Sequence, residues 1–207
     1  MQSEAGFRRL VNFGDAVVAI AITLLILPLV DSASSIGNET LSTFFHHNQT
    51  RLLAFALSFA VIGNFWWGHH QMFERVRAYN VVLVWGMFLW LLSIVFLPFP
   101  TELIGTISHA TVAVHAIYIG TMLVAAVAAL VQQWAIVRWP ELQEKTDDDV
   151  VTIDSAAILV ALMGLALAGT ILFPPLGLWP LVVLVLSRPL EHLMAKRRRR
   201  AAQPAQT

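Results

Sequence analysis

A group of polar side chains opens the first long apolar stretch of the sequence. Arg9, Asn12 and Asp15 lead into residues 16–30, which are almost entirely apolar. Charged side chains within a membrane are costly, so they usually face a protein partner or a water-filled path. An unpaired buried carboxylate would be neutralised or would destabilise the fold, so Asp15 needs hydrogen-bond donors from neighbouring segments. These polar side chains therefore indicate charge pairing between helices or a path for ions.

Candidate donors for Asp15 lie near the end of the second long apolar stretch. They are Asn64, Trp66, Trp67, His69 and His70. If two antiparallel helices joined by one loop hold these stretches, the donors lie level with Asp15. We expect Arg9, Asp15 and these residues to form a structural clamp that sets the angle of the first helix. A gating or proton-sensing role is the alternative.

One face of the first helix is narrow and apolar apart from a single hydroxyl. With Ile20 at zero on the helical wheel, the residues within about 60° of it include Ala16, Thr23, Leu24 and Leu27. Asp15 lies about 140° away, so it faces neighbouring helices. This stripe (Ala16, Ile20, Thr23, Leu24 and Leu27) could also face lipid or pack within a bundle, and the Thr23 hydroxyl could bond to its own helix.

The charge-free runs determine how many helices position these residues. Asp, Glu, Lys and Arg are absent from residues 52–73, 78–101, 103–137 and 155–187, and a membrane-spanning helix needs about 20 mainly apolar residues. Pro174 and Pro175 divide the last run into two short spans. We predict an all-α membrane protein with six helices at 7–30, 51–74, 78–98, 104–137, 153–173 and 176–195. Residues 1–195 then form one transmembrane domain, and 196–207 form a basic, disordered tail.

Basic residues predict the orientation of these helices. With the N-terminus inside, only Arg51 of the 13 Lys and Arg residues falls on the outer side, as the positive-inside rule favours. Both termini are then cytoplasmic, and the protein is a multi-pass protein of the cell membrane. A content of 57% hydrophobic and 13% charged residues excludes a soluble globule. The balance of 13 basic and 13 acidic residues gives no sign of nucleic-acid binding.

The first helix resembles the signature of the transmembrane-protein-175 potassium channels. That signature reads Arg-x-x-x-Phe-Ser-Asp, and Arg9, Phe13 and Asp15 match it. It is followed here by Ala-Ile-x-Ile-Thr-Leu. Three later features also fit the family pattern, namely Trp67, the pair His69-His70, and Asn80 at the start of the third helix. The sequence departs from the signature at Gly14, which stands in place of the family serine and removes a hydroxyl from the polar cluster.

The resemblance implies a homotetramer with a central pore lined by the first helix of each subunit. Ile20 matches a hydrophobic constriction of the family, Thr23 matches a residue linked to selectivity, and Leu27 matches a second narrow point. Leu24 shares their stripe. The expected function is passive, K⁺-selective conduction across the lipid bilayer, without enzyme chemistry or a cofactor.

Two other functions compete with the channel. A secondary transporter would have broken helices or inverted repeats near the middle of the membrane. A membrane enzyme or cytochrome is the third, and His109 or His115 with His69 or His70 could form a bis-His haem site. The chain contains no cysteine, which excludes cysteine-ligated metal sites within it.

Overall fold

The computed structural model describes residues 4–34, 37, 40–107, 111–143 and 153–173. These residues fold almost entirely into helices. In chain order they are α1 (Glu4–Leu24), α2 (Leu27–Ser34), α3 (Leu41–His47), α4 (Gln49–Phe73), α5 (Val81–Phe96), α6 (Pro98–Thr106), α7 (Val112–Arg138) and α8 (Asp154–Leu172). A short 3-10 helix, Pro140–Leu142, follows α7.

Four helical stretches are long and apolar enough to cross a membrane. They are Ala5–Ser34, Gln49–Phe73, Val81–Thr106 and Val112–Arg138, and Ala156–Leu172 is a shorter apolar helix. The prediction of an all-α membrane protein is therefore confirmed. The predicted sixth helix at 176–195 and the tail at 196–207 lie outside the described residues, so the count of six and the orientation of the termini stay predictions.

The first predicted helix, 7–30, is interrupted within the apolar stretch. α1 ends at Leu24, a turn follows at Leu25 and Ile26, and α2 begins at Leu27. Pro28 explains the break, because its ring displaces the carbonyl four residues earlier and it has no N–H to donate. Within the first turn of α2 that missing donor costs nothing.

Proline also shifts the boundary between the third and fourth predicted helices. Pro98 begins a further helix after α5, and α6 continues to Thr106, beyond the predicted end at 98. The prediction that the fourth helix begins at residue 104 is therefore wrong, because α7 begins at Val112. Helix is also present between the first two predicted helices, because α2 extends to Ser34 and α3 forms a separate short helix.

The centre of the core lies between α5 and α7. Large side chains from both helices are fully buried there: Met87, Trp90, Tyr118, Ile119 and Met122. α7 also packs extensively on α8, and α4 packs on α6. α1 lies at the side of this bundle, where it contacts α4 and α5. It therefore buries one face, and the other face is exposed among the described residues.

Gly14 is the point of close approach between α1 and α5. A Cβ atom added there would lie well inside van der Waals contact with Cε of Met87. The residue that departs from the family signature thus makes room for a methionine of the core. A serine at this position would require Met87 to move.

A candidate ion pathway on the first helix

The predicted stripe lies on the face of α1 that the described part of the chain leaves uncovered. Ile20 is 60% exposed, Leu24 is 39% exposed and Leu27 is 49% exposed. The opposite face is buried, with Val18, Ala21 and Leu25 in the core. An apolar face in the middle of a candidate span is covered by lipid, by another copy of the chain or by residues outside the described ranges.

Thr23 is exposed on the same face. Its hydroxyl donates to the backbone carbonyl of Ile20, with an O–O distance of 2.7 Å. A hydroxyl has one proton and two lone pairs, so this bond leaves acceptor capacity on the side away from the helix. An oxygen that presents lone pairs outward has the correct polarity to face a cation.

Leu27 differs from the other stripe residues because it belongs to α2. The turn at Leu25 and Ile26 separates it from Leu24, so the angle expected for one continuous helix does not apply to it. Leu27 and Val30 are nevertheless exposed along α2. The uncovered apolar face therefore continues across the break.

Asp15 receives its hydrogen bond from Trp66 on α4. Nε1 of Trp66 donates to Oδ1 of Asp15 at 2.9 Å. The indole ring stacks on His70, with ring centroids 5.3 Å apart, and Nε2 of His70 lies 3.4 Å from Oε1 of Glu74. One of the five expected donors is thus the partner, and it connects α1 to the end of α4.

His69 points away from this group, into the core. Its Nε2 lies 3.0 Å from Oε1 of Gln132 on α7, and its ring stacks on Trp90 with centroids 3.9 Å apart. Gln132 is fully buried, and its amide nitrogen also donates to the carbonyl of Gly86 at 3.3 Å. The sequence analysis missed Gln132, although an amide in a long charge-free run was a signal that could have found it.

The other residues of the family pattern differ in their surroundings. The ring of Trp67 belongs with the Asp15 group, because its centroid lies 6.2 Å from that of Trp66 and 6.1 Å from that of His70. Arg9 is exposed and forms no ion pair within the described ranges. Phe13 is half exposed and approaches Phe88 of α5, at 6.3 Å between ring centroids. Trp67 is 44% exposed. Asn80 caps α5, because its Oδ1 accepts from the N–H of Leu83 at 2.8 Å.

A second buried polar group, which the sequence analysis also missed, lies between α4, α6 and α7. The Ser58 hydroxyl is 2.8 Å from that of Thr101 and 3.0 Å from that of Tyr118. Nearby, Nη1 of Arg51 bonds to Ser32 of α2 and to Oδ1 of Asn48. These contacts attach α2, the second part of the first span, to α4.

Three of the four histidines named for a haem site, His69, His70 and His115, lie within the described residues. His69 and His70 face different neighbours, as described above. His115 lies on α7, and His109 falls outside the described residues.

The helices, their apolar stretches and the polar contacts between them define a multi-pass α-helical membrane protein. The model of a protein family described as "Endosomal/lysosomal potassium channel TMEM175" matches residues 9–98. That range holds the signature on α1, the uncovered stripe and the residues of α4 around Trp66. The chain belongs to this family.

Three bacterial relatives carry the name potassium channel. One from Chryseobacterium sp. (strain P1-3) is 28% identical over 180 residues, covering 86% of this chain and 90% of its own. One from Streptomyces collinus is 33% identical over 143 residues, which is 66% of each chain. One from Chamaesiphon minutus is 36% identical over 105 residues, covering 50% of this chain and 51% of its own. Proteins of this kind in bacteria reside in the plasma membrane.

Proposed function

We propose that this chain is the subunit of a homotetrameric potassium channel whose four α1 helices surround a central pore. The observation that carries the proposal is the uncovered stripe of α1, formed by small and branched apolar residues with one hydroxyl. The family description and the names of the three relatives support K⁺ as the ion.

A single copy of the stripe cannot enclose a pore, because it occupies one face of one helix. Closed cyclic symmetry brings identical faces together around an axis. The burial pattern supports this arrangement, since α4 and α5 cover the opposite face and leave the stripe available. The proposed oligomer thus covers an apolar face that the described part of a single chain leaves exposed.

Ile20 forms the proposed gate. Four isoleucine side chains near a closed axis leave an apolar constriction, and such constrictions stop ions when they lose their water. Rotation or outward movement of α1 would widen and wet the ring. Leu27 provides a second apolar layer beyond the helix break.

Thr23 is the proposed determinant of ion preference. It is the one hydroxyl on the stripe, and its bond to the carbonyl of Ile20 directs its acceptor lone pairs away from the helix. In a symmetric assembly four such oxygens form a polar layer beside the apolar ring. Wetting at Ile20 and ion discrimination at Thr23 are therefore separable.

Planar-bilayer recording of the purified protein under K⁺ and Na⁺ gradients tests these roles. Ile20→Asn keeps a similar volume and gives water hydrogen-bonding partners, so we expect a higher open probability or leak. Ile117→Asn is the matched control, because Ile117 is an exposed isoleucine on α7, away from the stripe. Unchanged opening in Ile20→Asn would show that Ile20 is not the barrier and would direct attention to Leu27.

Thr23→Ala in the same recordings should weaken the preference for K⁺ over Na⁺ without raising open probability. Thr23→Ser, which retains the hydroxyl, should keep the preference. If Thr23→Ala selects K⁺ as the unaltered channel does, discrimination lies elsewhere on the pathway.

The tetramer is tested separately by native mass spectrometry and by stepwise photobleaching of labelled subunits in lipid. Four subunits per conducting particle are expected. A monodisperse, conducting monomer in detergent and in lipid would contradict the proposal.

A secondary transporter is the second candidate, and the interruption of the first span at residues 25–26 favours it. Transporter sites typically involve discontinuous helices near the middle of the membrane. Saturating flux at low turnover, with no unitary currents, would identify a transporter.

A further inference from the structure

A cavity of about 450 Å³ opens beside the beginning of α1 and the end of α4. It lies on the α4 side of α1, away from the uncovered stripe. Its lining includes three buried apolar side chains, Phe7, Phe73 and Val76. The rings of Phe7 and Phe73 stack with centroids 5.6 Å apart. The cavity therefore has a preformed apolar floor.

The rim of this cavity is polar and carries two arginines. Arg8 of α1 and Arg77 beyond α4 are both exposed on its lining, together with the Asn12 amide. The carboxylate on the lining belongs to Glu74, which lies 3.4 Å from His70. Two guanidinium groups with an amide at one mouth suit a phosphate group, which accepts several N–H bonds.

The protein holds this rim in place through its backbone. The N–H of Arg77 donates to the carbonyl of Leu142 at 2.9 Å, and Val76 forms an isolated antiparallel bridge with Gln143. The segment after α4 is thus fixed to the segment after α7. An ordered rim reduces the conformational entropy that a ligand must remove on binding.

We propose that this cavity binds the headgroup of an anionic phospholipid. The phosphodiester lies between Arg8 and Arg77, and the first carbons of an acyl chain contact the apolar floor. The position favours a lipid over a free anion, because the cavity lies where two candidate spans end. Phospholipid headgroups occupy that depth, and basic pockets there recognise anionic lipids.

Binding at this site would act on the first helix through contacts already described. His70 lies on the cavity lining and stacks on Trp66, whose indole N–H holds Asp15. A lipid bound between Arg8 and Arg77 also connects α1 directly to the end of α4. The bound lipid therefore stabilises the inner end of α1 without contacting the stripe.

Native mass spectrometry of the full-length protein tests the site without requiring conduction. Protein is extracted from nanodiscs of phosphatidylcholine and phosphatidylglycerol, and the phosphatidylglycerol retained is counted. A basic residue near the surface contributes about fivefold to attraction of anionic lipid, so Arg8→Gln and Arg77→Gln should each lower apparent affinity by about fivefold. Arg75→Gln is the matched control. It removes the same charge two residues from Arg77, and Arg75 does not line the cavity.

The opposite change provides a second test. Glu74→Gln removes the carboxylate from the rim and should raise phosphatidylglycerol retention. Inorganic phosphate added at matched concentration should not displace the lipid, whereas displacement would assign the cavity to a free anion. If Arg77→Gln and Arg75→Gln lower phosphatidylglycerol retention equally, the lipid responds to general surface charge and the proposal is wrong. Because the readout is binding, a failed conduction assay leaves this result unaffected.

Discussion

The bond between Trp66 and Asp15 makes a quantitative prediction about the stability of the first span. Trp66→Phe removes the indole N–H that donates to Asp15 at 2.9 Å and keeps an aromatic ring against His70. The variant therefore isolates the hydrogen bond from most of the packing. It leaves a half-buried carboxyl oxygen without its donor from α4.

The expected magnitude follows from that burial. A buried acceptor left without its donor costs about 1–3 kcal/mol. Asp15 is only partly buried, so water can replace some of the lost bond and the lower half of the range applies, about 1–2 kcal/mol. Such a loss changes the ratio of folded to unfolded protein by roughly 5- to 30-fold.

The full-length protein is unfolded by SDS in dodecyl maltoside micelles. Far-ultraviolet circular dichroism monitors the loss of helix. Trp67→Phe is the matched control, because it deletes the same atoms from the neighbouring, more exposed residue. We expect Trp66→Phe to lower the free energy of unfolding and Trp67→Phe to change it by much less. If the two variants lower the free energy of unfolding equally, the bond from Trp66 to Asp15 is not the cause of the loss.

The partner residue extends the test to assembly. Asp15→Ala removes the acceptor and should reduce expression or tetramer yield, and Asp15→Asn should cost less because it keeps an amide oxygen. In the double variant with Trp66→Phe the two losses should not add, because both remove the same bond. Normal tetramer yield in Asp15→Ala with an altered K⁺/Na⁺ preference would show that Asp15 acts in permeation rather than as a clamp.

Two further predictions concern close packing and buried hydroxyls. Gly14→Ser, which restores the family residue, brings a Cβ against Cε of Met87. Because that atom ends a flexible side chain, and because replacing a helical glycine recovers part of about 1 kcal/mol of helix propensity, overpacking should be largely offset and calorimetry should show a change in stability within about 1 kcal/mol. A clearly larger loss of stability that disappears in a Met87→Ala background would show that Met87 does not yield. Ser58→Ala deprives Tyr118 of a buried partner at 3.0 Å and should cost about 1–3 kcal/mol. Ser93→Ala is its control, because Ser93 bonds to its own helix; similar melting temperatures in the two serine variants would contradict this account.

Properties that depend on residues close together in the sequence were predictable. Long charge-free runs predicted membrane-spanning helices, because a bilayer core accepts few charges whatever the rest of the fold. The angle between successive helical residues separated Ile20 from Asp15, since that angle is the same in every α-helix. The resulting stripe is the face that the described residues leave uncovered. Its role in a pore stays a proposal.

Helix boundaries were less predictable where a proline lies within an apolar stretch. Pro28 lies inside a stretch that is apolar on both sides, so hydropathy predicted one helix where the backbone forms two. Pro98 begins α6 within a run that looked like the end of a span. The missing N–H and the ring of proline act on the backbone itself, which hydropathy does not register.

Only the tertiary structure decided which polar residues meet. Five donors near the end of α4 were compatible with Asp15, and the rotation of α4 selected Trp66, which is 51 residues away along the chain. The same rotation turned His69 towards Gln132, 63 residues away. Helical periodicity states which residues of one helix share a face. It does not state which neighbouring helix that face meets, because packing of side chains distant in sequence determines the rotation and depth of each helix.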